Sequence, residues 1–302
     1  MARPVTIGLL NVLYKTETLE ARRCELLRLV NEAGQAGCQI VLLPEFADHH
    51  RTKESLASHA QGKAAHRQVV GMKLDSSWLH ELSALARKYG MVVIPDVLLN
   101  EDGRWFNSAV VYGPGGEILG QYRKTHIAPG ENDLFEAGQV LAPIATPFGK
   151  IGLFICYDIN FPEVTRCYEL QEADLLLWTT MRQAENEEGL YRAVLPALAI
   201  THGLPLGVAT YVSETQHNER NPMSSILYNC FGQTVAGGLL RAGVVRGTVD
   251  LDEHPLERRS WDTPEWVNSP SYLRRQRRPE LYKSLHTPLS DDERNMDNEK
   301  AR

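Results

Sequence analysis

The apolar run KIGLFIC ends on Cys156, and Pro162 opens a helical pattern six residues later. A thiol on such a strand-to-helix turn is held out at a sheet edge, and the nearby helix N-terminus favours its thiolate. That arrangement is the thiol counterpart of a serine nucleophile elbow. A cysteine closing an apolar strand is also ordinary material for a buried core, so both readings stay open on this segment alone. A nucleophilic thiol needs a base. His126 and His202 are available, and neither stands out. Two other charges do. Glu45 follows the apolar run QIVLLP directly, and Lys124 ends EILGQYRK. A partly desolvated glutamate can accept a thiol proton, and a lysine beside it can hold an oxyanion. Each can equally be a solvated charge that closes a strand.

Other tempting residues carry less. His49 and His50 are adjacent, point apart, and have no matching ligand cluster, so the sequence suggests no metal site. The glycines of GPGG read as a turn, since no GK[ST] follows them. Cys24, Cys38, Cys167 and Cys230 lie in helices, before a strand or in a turn, and read as structural.

The elements that must position Cys156, Glu45 and Lys124 follow from the periodicities. Residues 5–11 read as a strand, 17–34 as an amphipathic helix and 39–44 as a strand buried on both faces. Residues 47–72 are polar, without a clear period, and read as a surface excursion. WLHELSALARKYG is a helix stopped by Gly90, MVVIPDVLL a single strand, and NSAVVYG with EILGQYRK a hairpin. KIGLFIC, a helix from Pro162 to about Leu170 and the strand ADLLLWTT follow. A helix over 187–202, the strand LPLGVATYV, the hairpin SSILYN/QTVAGG and the strand GVVRGTVDL complete the pattern. Strand–helix alternation ending in a hairpin thus occurs twice. Two such halves are most simply two sheets packed together with helices outside, a four-layer α-β-β-α sandwich in one domain, residues 1–252.

Composition narrows the class. The 302 residues are 43% hydrophobic and 23% charged, which is ordinary globular usage. With 32 basic and 38 acidic residues, no cationic surplus favours nucleic acid. No run of about eighteen apolar residues suggests a membrane span. The N-terminus runs straight into a strand without a signal-peptide core, and five separated cysteines suggest no disulfide framework. The expectation is a cytoplasmic protein.

The three charged or nucleophilic positions, in the order LLPEF, GQYRKTHI and FICYDINFPE, resemble the glutamate, lysine and cysteine motifs of the nitrilase, or carbon–nitrogen hydrolase, superfamily. The resemblance spans about residues 5–250 and implies the αββα sandwich, a homodimer or larger homo-oligomer, and catalysis without metal or organic cofactor. It assigns Glu45 as general base, Lys124 as oxyanion stabiliser and Cys156 as nucleophile. A second family glutamate maps onto Glu131 in GENDLFEAG, since Glu136 lies on the far side of the aromatic. The Tyr157 N–H becomes the second oxyanion donor. Members that cleave N-carbamoyl-D-amino acids carry arginines where this chain has Ile159 and Asn160. Arg182 could replace that clamp, and Trp178 could line the pocket. His202 stands where the family usually has asparagine.

The resemblance implies a hydrolase acting on a small linear amide or carbamoyl compound through a Cys156 thioester. The alternative is a nitrilase using the same groups, and an inactive scaffold is the third reading. Residues 253–302 hold ten basic and ten acidic residues with aromatics at 261, 266 and 272. This tail has too little apolar periodicity for a core of its own and is expected in subunit contacts.

Overall fold

The computed structural model describes residues 2–181, 193–212, 224–258 and 266–286. The first half contains β1 (Pro4–Leu13), α1 (Leu19–Gln35), β2 (Ile40–Leu42), α2 (Lys53–Ala60), α3 (Lys63–Val70) and α4 (Ser77–Tyr89). It continues with β3 (Val92–Ile94), β4 (Asp96–Glu101), β5 (Arg104–Tyr112) and β6 (Ile118–Arg123). The second half contains β7 (Ile144–Thr146), β8 (Gly149–Ile155), α5 (Pro162–Leu170), β9 (Leu175–Thr179), α6 (Leu195–His202) and β10 (Leu206–Val212). β11 (Ile226–Tyr228), β12 (Thr234–Ala236) and β13 (Gly243–Asp250) follow.

Strand β1 is the seam. It pairs in parallel with β2 and antiparallel with β13 along most of its length. Its last residues turn instead to the second half, with Asn11, Val12 and Leu13 opposite Thr210, Tyr211 and Val212 of β10. The path β4-β5-β3-β2-β1-β10-β9-β8-β7 is therefore one hydrogen-bonded surface that curls into two facing half-sheets.

Side-chain alternation sorts the layers. Ile7, Leu9, Ile40 and Leu42 face inward, into one cluster with Leu153, Leu177 and Leu227 from the second half. Leu10, Val12, Val41 and Leu43 face outward, onto Leu26, Leu29 and Val30 of α1 and Leu79 and Leu82 of α4. The two sheets meet so closely that a Cβ on Gly207 would lie 2.8 Å from Leu177 and 3.1 Å from Leu9. On the other side, α5 lies on β8, where a Cβ on Gly152 would stand 2.7 Å from the Tyr168 ring. Helix, sheet, sheet, helix is the sandwich expected from the repeated pattern.

Local chemistry explains the boundaries. Thr18 caps α1 by accepting the Ala21 N–H at 3.2 Å, which stabilises a helix start by about 1 kcal/mol. Gly90 ends α4 in the left-handed conformation at φ 62°. Pro162 takes the first turn of α5, where its missing N–H costs nothing.

Three stretches differ from the sequence expectation. Residues 47–72 fold into α2 and α3 rather than an irregular excursion. Their buried faces consist of Ser55, Ser58, His66 and Val70, so a single apolar residue among polar ones leaves no apolar period to read. MVVIPDVLL is two strands, because Pro95 has no N–H for the ladder. β3 pairs with β2, and β4 with β5. Of the helix expected over 187–202, the described part is α6.

Two compact units divide the chain, residues 1–255 and 256–302. The second contains elements where none was expected: β14 (Leu256–Arg258) pairs antiparallel with β15 (Trp266–Asn268), followed by α7 (Ser269–Gln276). Asn268 caps α7 through the Ser271 N–H at 3.0 Å. The three-residue strands are too short to show periodicity.

Candidate active site

The fold brings four of the expected residues to one place. Glu45 lies just beyond β2, where the chain leaves the sheet and Phe46 turns left-handed at φ 51°. Its carboxylate is fully buried and every oxygen is engaged. Oε1 accepts Asn107 Nδ2–H at 2.8 Å and Lys124 Nζ–H at 3.1 Å, and Oε2 accepts the Met181 N–H at 3.0 Å. The backbone around it is held by Tyr211, whose hydroxyl donates to the Glu45 carbonyl at 2.9 Å, and by Asp96, which accepts the Phe46 N–H at 3.0 Å.

Lys124 follows β6. Its own N–H donates to the Asn107 carbonyl at 2.9 Å, and its carbonyl accepts the Gly138 N–H at 2.8 Å. Only glycine fits there, because a Cβ on residue 138 would meet the Arg123 carbonyl oxygen at 2.2 Å. The Lys124 ammonium bridges Glu45 and Glu131, at 3.1 and 2.8 Å, and stands 5.6 Å from the centre of the Phe135 ring. Glu131 is fixed by the Ala128 N–H at 3.1 Å, whereas Glu136 turns to the surface and pairs with Arg104. Burial pulls the Lys124 ammonium down, but the carboxylates of Glu45 and Glu131 and the thiol of Cys156 outweigh it and hold the pKa well above the usual lysine value.

Cys156 closes β8 in a left-handed conformation, φ 45°, at the head of a short 3-10 turn over Cys156–Asn160. A non-glycine residue there carries backbone strain of about 1–2 kcal/mol. Its thiol is buried, with Glu45, Lys124 and Thr180 as the side chains that act on it electrostatically. Burial, and then the nearby Glu45 carboxylate, push its pKa far above the usual thiol value, while Lys124 and Thr180 pull it down. The resting group is therefore a thiol, with the Glu45 carboxylate near it.

Asp158 holds this turn, and sequence reasoning missed it. It is completely buried. It accepts the Ile155 N–H at 2.9 Å and the Tyr122 hydroxyl at 2.8 Å on one oxygen. The other oxygen accepts the His126 N–H at 2.9 Å and the Thr125 hydroxyl at 3.1 Å, with His126 Nδ1 also at 2.9 Å. One carboxylate thus ties the cysteine turn to the segment after Lys124. Asp96 was legible as a lone carboxylate in the apolar run VVIPDVLL. Its Oδ2 is buried without a hydrogen-bond partner among the described residues. Burial, reinforced by Glu45, raises its pKa well above the usual carboxylate value.

The remaining expected residues are placed as follows. Tyr157 is half-buried beside Phe161, with ring centres 5.7 Å apart. Asn160 is exposed, and its Nδ2–H donates to the Tyr157 carbonyl at 3.0 Å, closing the turn. Trp178 points to the outer face of β9, fully buried and stacked on Phe154; its indole N–H donates to the Cys156 carbonyl at 3.2 Å. It therefore backs the Cys156 turn from behind. Arg182 lies outside the described residues. His126 stacks on Phe161, and His202 is buried with Nε2 2.9 Å from the Thr165 hydroxyl. Among the described residues no group of three or more His, Cys, Asp or Glu is arranged to hold a metal ion, and no helix is long and apolar enough to cross a membrane.

A cavity of about 260 Å³ flanks the cluster, walled by Phe46, Glu131, Leu134 and Met181 on the cluster side. Its size suits a small molecule, being just below the usual range of about 300–1,000 Å³ for ligand pockets. Two larger clefts, about 470 Å³ each, contain none of the four cluster residues.

A family model for carbon–nitrogen hydrolases matches residues 6–254. The chain belongs to the carbon–nitrogen hydrolase family. Among curated relatives, this hydrolase is 26% identical to omega-amidase NIT2 of Xenopus tropicalis over 278 residues, covering 89% of this chain and 92% of the relative. It is 28% identical to N-carbamoylputrescine amidase of Solanum tuberosum over 283 residues, covering 86% and 88%. Among solved structures, an amidase from Nesterenkonia sp. superposes with a TM-score of 0.70 at 20% identity, covering 93% of this chain and 96% of that one. That likeness supports the αββα fold. In this hydrolase Ile159 is buried and Asn160 caps its own turn, so neither offers a charge to a substrate.

Proposed function

We propose that the hydrolase cleaves the C–N bond of a small linear amide or carbamoyl compound through a Cys156 thioester. The observation that carries this reading is the Lys124 ammonium bridging Glu45 and Glu131 at 3.1 and 2.8 Å, with the buried Cys156 thiol in the electrostatic reach of Glu45 and Lys124. Glu45 accepts the thiol proton as sulfur attacks the carbonyl carbon. Lys124 and the Tyr157 N–H hold the oxygen as it becomes negative, a contribution of about 100- to 1,000-fold per donor. The Glu45 carboxylic acid then protonates the leaving nitrogen, and ammonia or an amine departs. Water enters, gives its proton to Glu45 and attacks the thioester. The acid is released and the thiol regains its proton. Glu131 holds Lys124 in place, so the ammonium does not collapse wholly onto Glu45.

The names of the curated relatives support amides and carbamoyl compounds as the substrate class. The test is an ammonia-release screen over primary amides, carbamoyl compounds and nitriles, with Cys156→Ala as the blank. Turnover of amides or carbamoyl compounds, absent in the variant, is expected. Turnover of nitriles alone would replace this reading with the nitrilase one.

A further inference from the structure

The peptide that joins Glu45 to Phe46 is held at both of its polar ends by side chains. Its carbonyl accepts the Tyr211 hydroxyl at 2.9 Å, and its N–H donates to Asp96 Oδ1 at 3.0 Å. The two side chains come from distant parts of the chain, Asp96 from the start of β4 and Tyr211 from β10, and both are buried. Buried backbone groups are mostly satisfied by other backbone groups, so two buried side chains committed to one peptide need a reason of their own.

The local backbone supplies that reason. Phe46 is left-handed at φ 51°, a conformation that a non-glycine residue adopts only when its surroundings impose it. The chain turns sharply after β2. The Ala47 N–H donates to the Pro44 carbonyl at 3.2 Å, and the His49 and His50 N–H groups donate to the Phe46 carbonyl at 3.1 and 2.8 Å. These bonds leave the Glu45–Phe46 peptide itself without a backbone partner among the described residues. Rotation of that peptide would swing the Glu45 carboxylate away from Asn107, Lys124 and the Met181 N–H, which it meets at 2.8–3.1 Å. It would also move the Phe46 ring, whose centre is 6.0 Å from that of Phe135, the ring beside the Lys124 ammonium.

Asp96 shares a face of the β4–β5 ladder with Asn107, since Asp96 stands opposite Ala109 and Leu98 opposite Asn107. Burial, Glu45 and Asp48 raise its pKa, whereas the Phe46 N–H and Lys124 lower it. Its carboxyl thus lies in the electrostatic reach of Glu45 and Lys124. A buried carboxyl with one oxygen unpartnered among the described residues is costly where only packing is at stake. Tyr211 is likewise buried, and burial raises its pKa well above the usual phenol value, which keeps the hydroxyl a donor.

We propose that Asp96 and Tyr211 are positioning residues for Glu45, a clamp on the Glu45–Phe46 peptide that fixes where the carboxylate stands relative to Lys124 and Cys156. This rests on the function proposed above, in which Glu45 takes the Cys156 proton. Both residues act through the backbone and not on the substrate.

The test uses Asp96→Ala, Asp96→Asn and Tyr211→Phe in the full chain, with folding checked by circular dichroism. A catalytic group displaced by about 1 Å costs on the order of a hundredfold in rate, so kcat for ammonia release should fall about ten- to a hundredfold in Asp96→Ala and Tyr211→Phe, with KM little changed. Asparagine keeps an oxygen for the Phe46 N–H, so Asp96→Asn should recover most of the loss. A second readout asks whether the effect runs through Glu45. Alkylation of Cys156 by iodoacetamide, followed by peptide mass spectrometry, forms the S–C bond as iodide leaves and the thiol proton passes to Glu45. Each clamp variant should slow this reaction in the otherwise unmodified enzyme and add nothing in a Glu45→Gln background, a non-additivity that general loss of packing does not produce. If Asp96→Ala does not fold, Tyr211→Phe, which removes one oxygen, carries the same test from the carbonyl side. Unchanged kcat in the folded variants, Asp96→Asn as impaired as Asp96→Ala, or equal slowing of alkylation with and without Glu45 would overturn the proposal. Turnover by Cys156→Ala would instead sink the thioester reading, whereas an inactive Cys156→Ala beside fully active clamp variants sinks the clamp alone.

Discussion

Asp158→Ala is the most informative perturbation outside the reacting groups. The carboxylate receives the Ile155 N–H, the Tyr122 and Thr125 hydroxyls and the His126 N–H, at 2.8–3.1 Å. Truncation does not orphan all four. Tyr122 and Thr125 can fall back on each other, 3.0 Å apart, and half-exposed His126 can recruit water. The Ile155 N–H has no such recourse, and the Tyr122 hydroxyl only a partial one. At about 1–3 kcal/mol for each buried group left unpaired, stability should fall by roughly 2–6 kcal/mol. That is a large share of the usual total of about 5–15 kcal/mol. The strained Cys156 turn would also lose its anchor to the Lys124 segment, and a shift of about 1 Å there costs on the order of a hundredfold in rate. Asp158→Asn should fall between, since its amide can accept the Ile155 N–H but then presents a donor to the His126 N–H. Urea unfolding gives the stability change, and kcat for ammonia release on folded protein gives the rate. Asp158→Ala with unchanged stability and kcat would refute the anchoring role.

Other outcomes follow from the same geometry. Lys124→Met should cost several orders of magnitude in kcat, and Glu45→Gln a comparable amount, because each removes a charge that changes partners during the reaction; stopped ammonia-release assays on the folded variants decide it. Acid should destabilise the protein below about pH 6.5. Burial holds His50 and His202 down to about 3 and His66 to about 4, so between those values and 6.5 the unfolded chain binds the extra protons. Stability is then fully present above 6.5 and falls with acidification, approaching about 1.4 kcal/mol per pH unit for each histidine; a urea midpoint unchanged between pH 7 and pH 5 would contradict this. Removal of residues 253–302 is expected to lower assembly size in light scattering, and an unchanged size with full activity would rule out a role for the tail in subunit contacts.

Sequence and structure agree most where a charge interrupts an apolar run. Glu45, Lys124 and Cys156 each end a strand, so the strand periods placed them at sheet edges before any coordinates. What periodicity cannot supply is which groups touch. Asp158 stands in the quoted motif FICYDINFPE, yet its importance comes from partners some thirty residues away in sequence. Asn107, inside the strand NSAVVYG, matters because its amide reaches Glu45 while its carbonyl receives the Lys124 N–H. Trp178 was misplaced for a simpler reason. Alternation along β9 turns Leu177 inward and Trp178 outward, and that parity was readable. The cavity wall was invisible because α2 and α3 bury serines and histidines instead of an apolar stripe.

The central claim is a covalent intermediate on Cys156. Intact-protein and peptide mass spectrometry on enzyme quenched during turnover of a slow amide tests it directly. An acyl mass on the Cys156 peptide, absent from Cys156→Ala along with all activity, is predicted. Turnover by Cys156→Ala, or an adduct on another cysteine, would contradict the account.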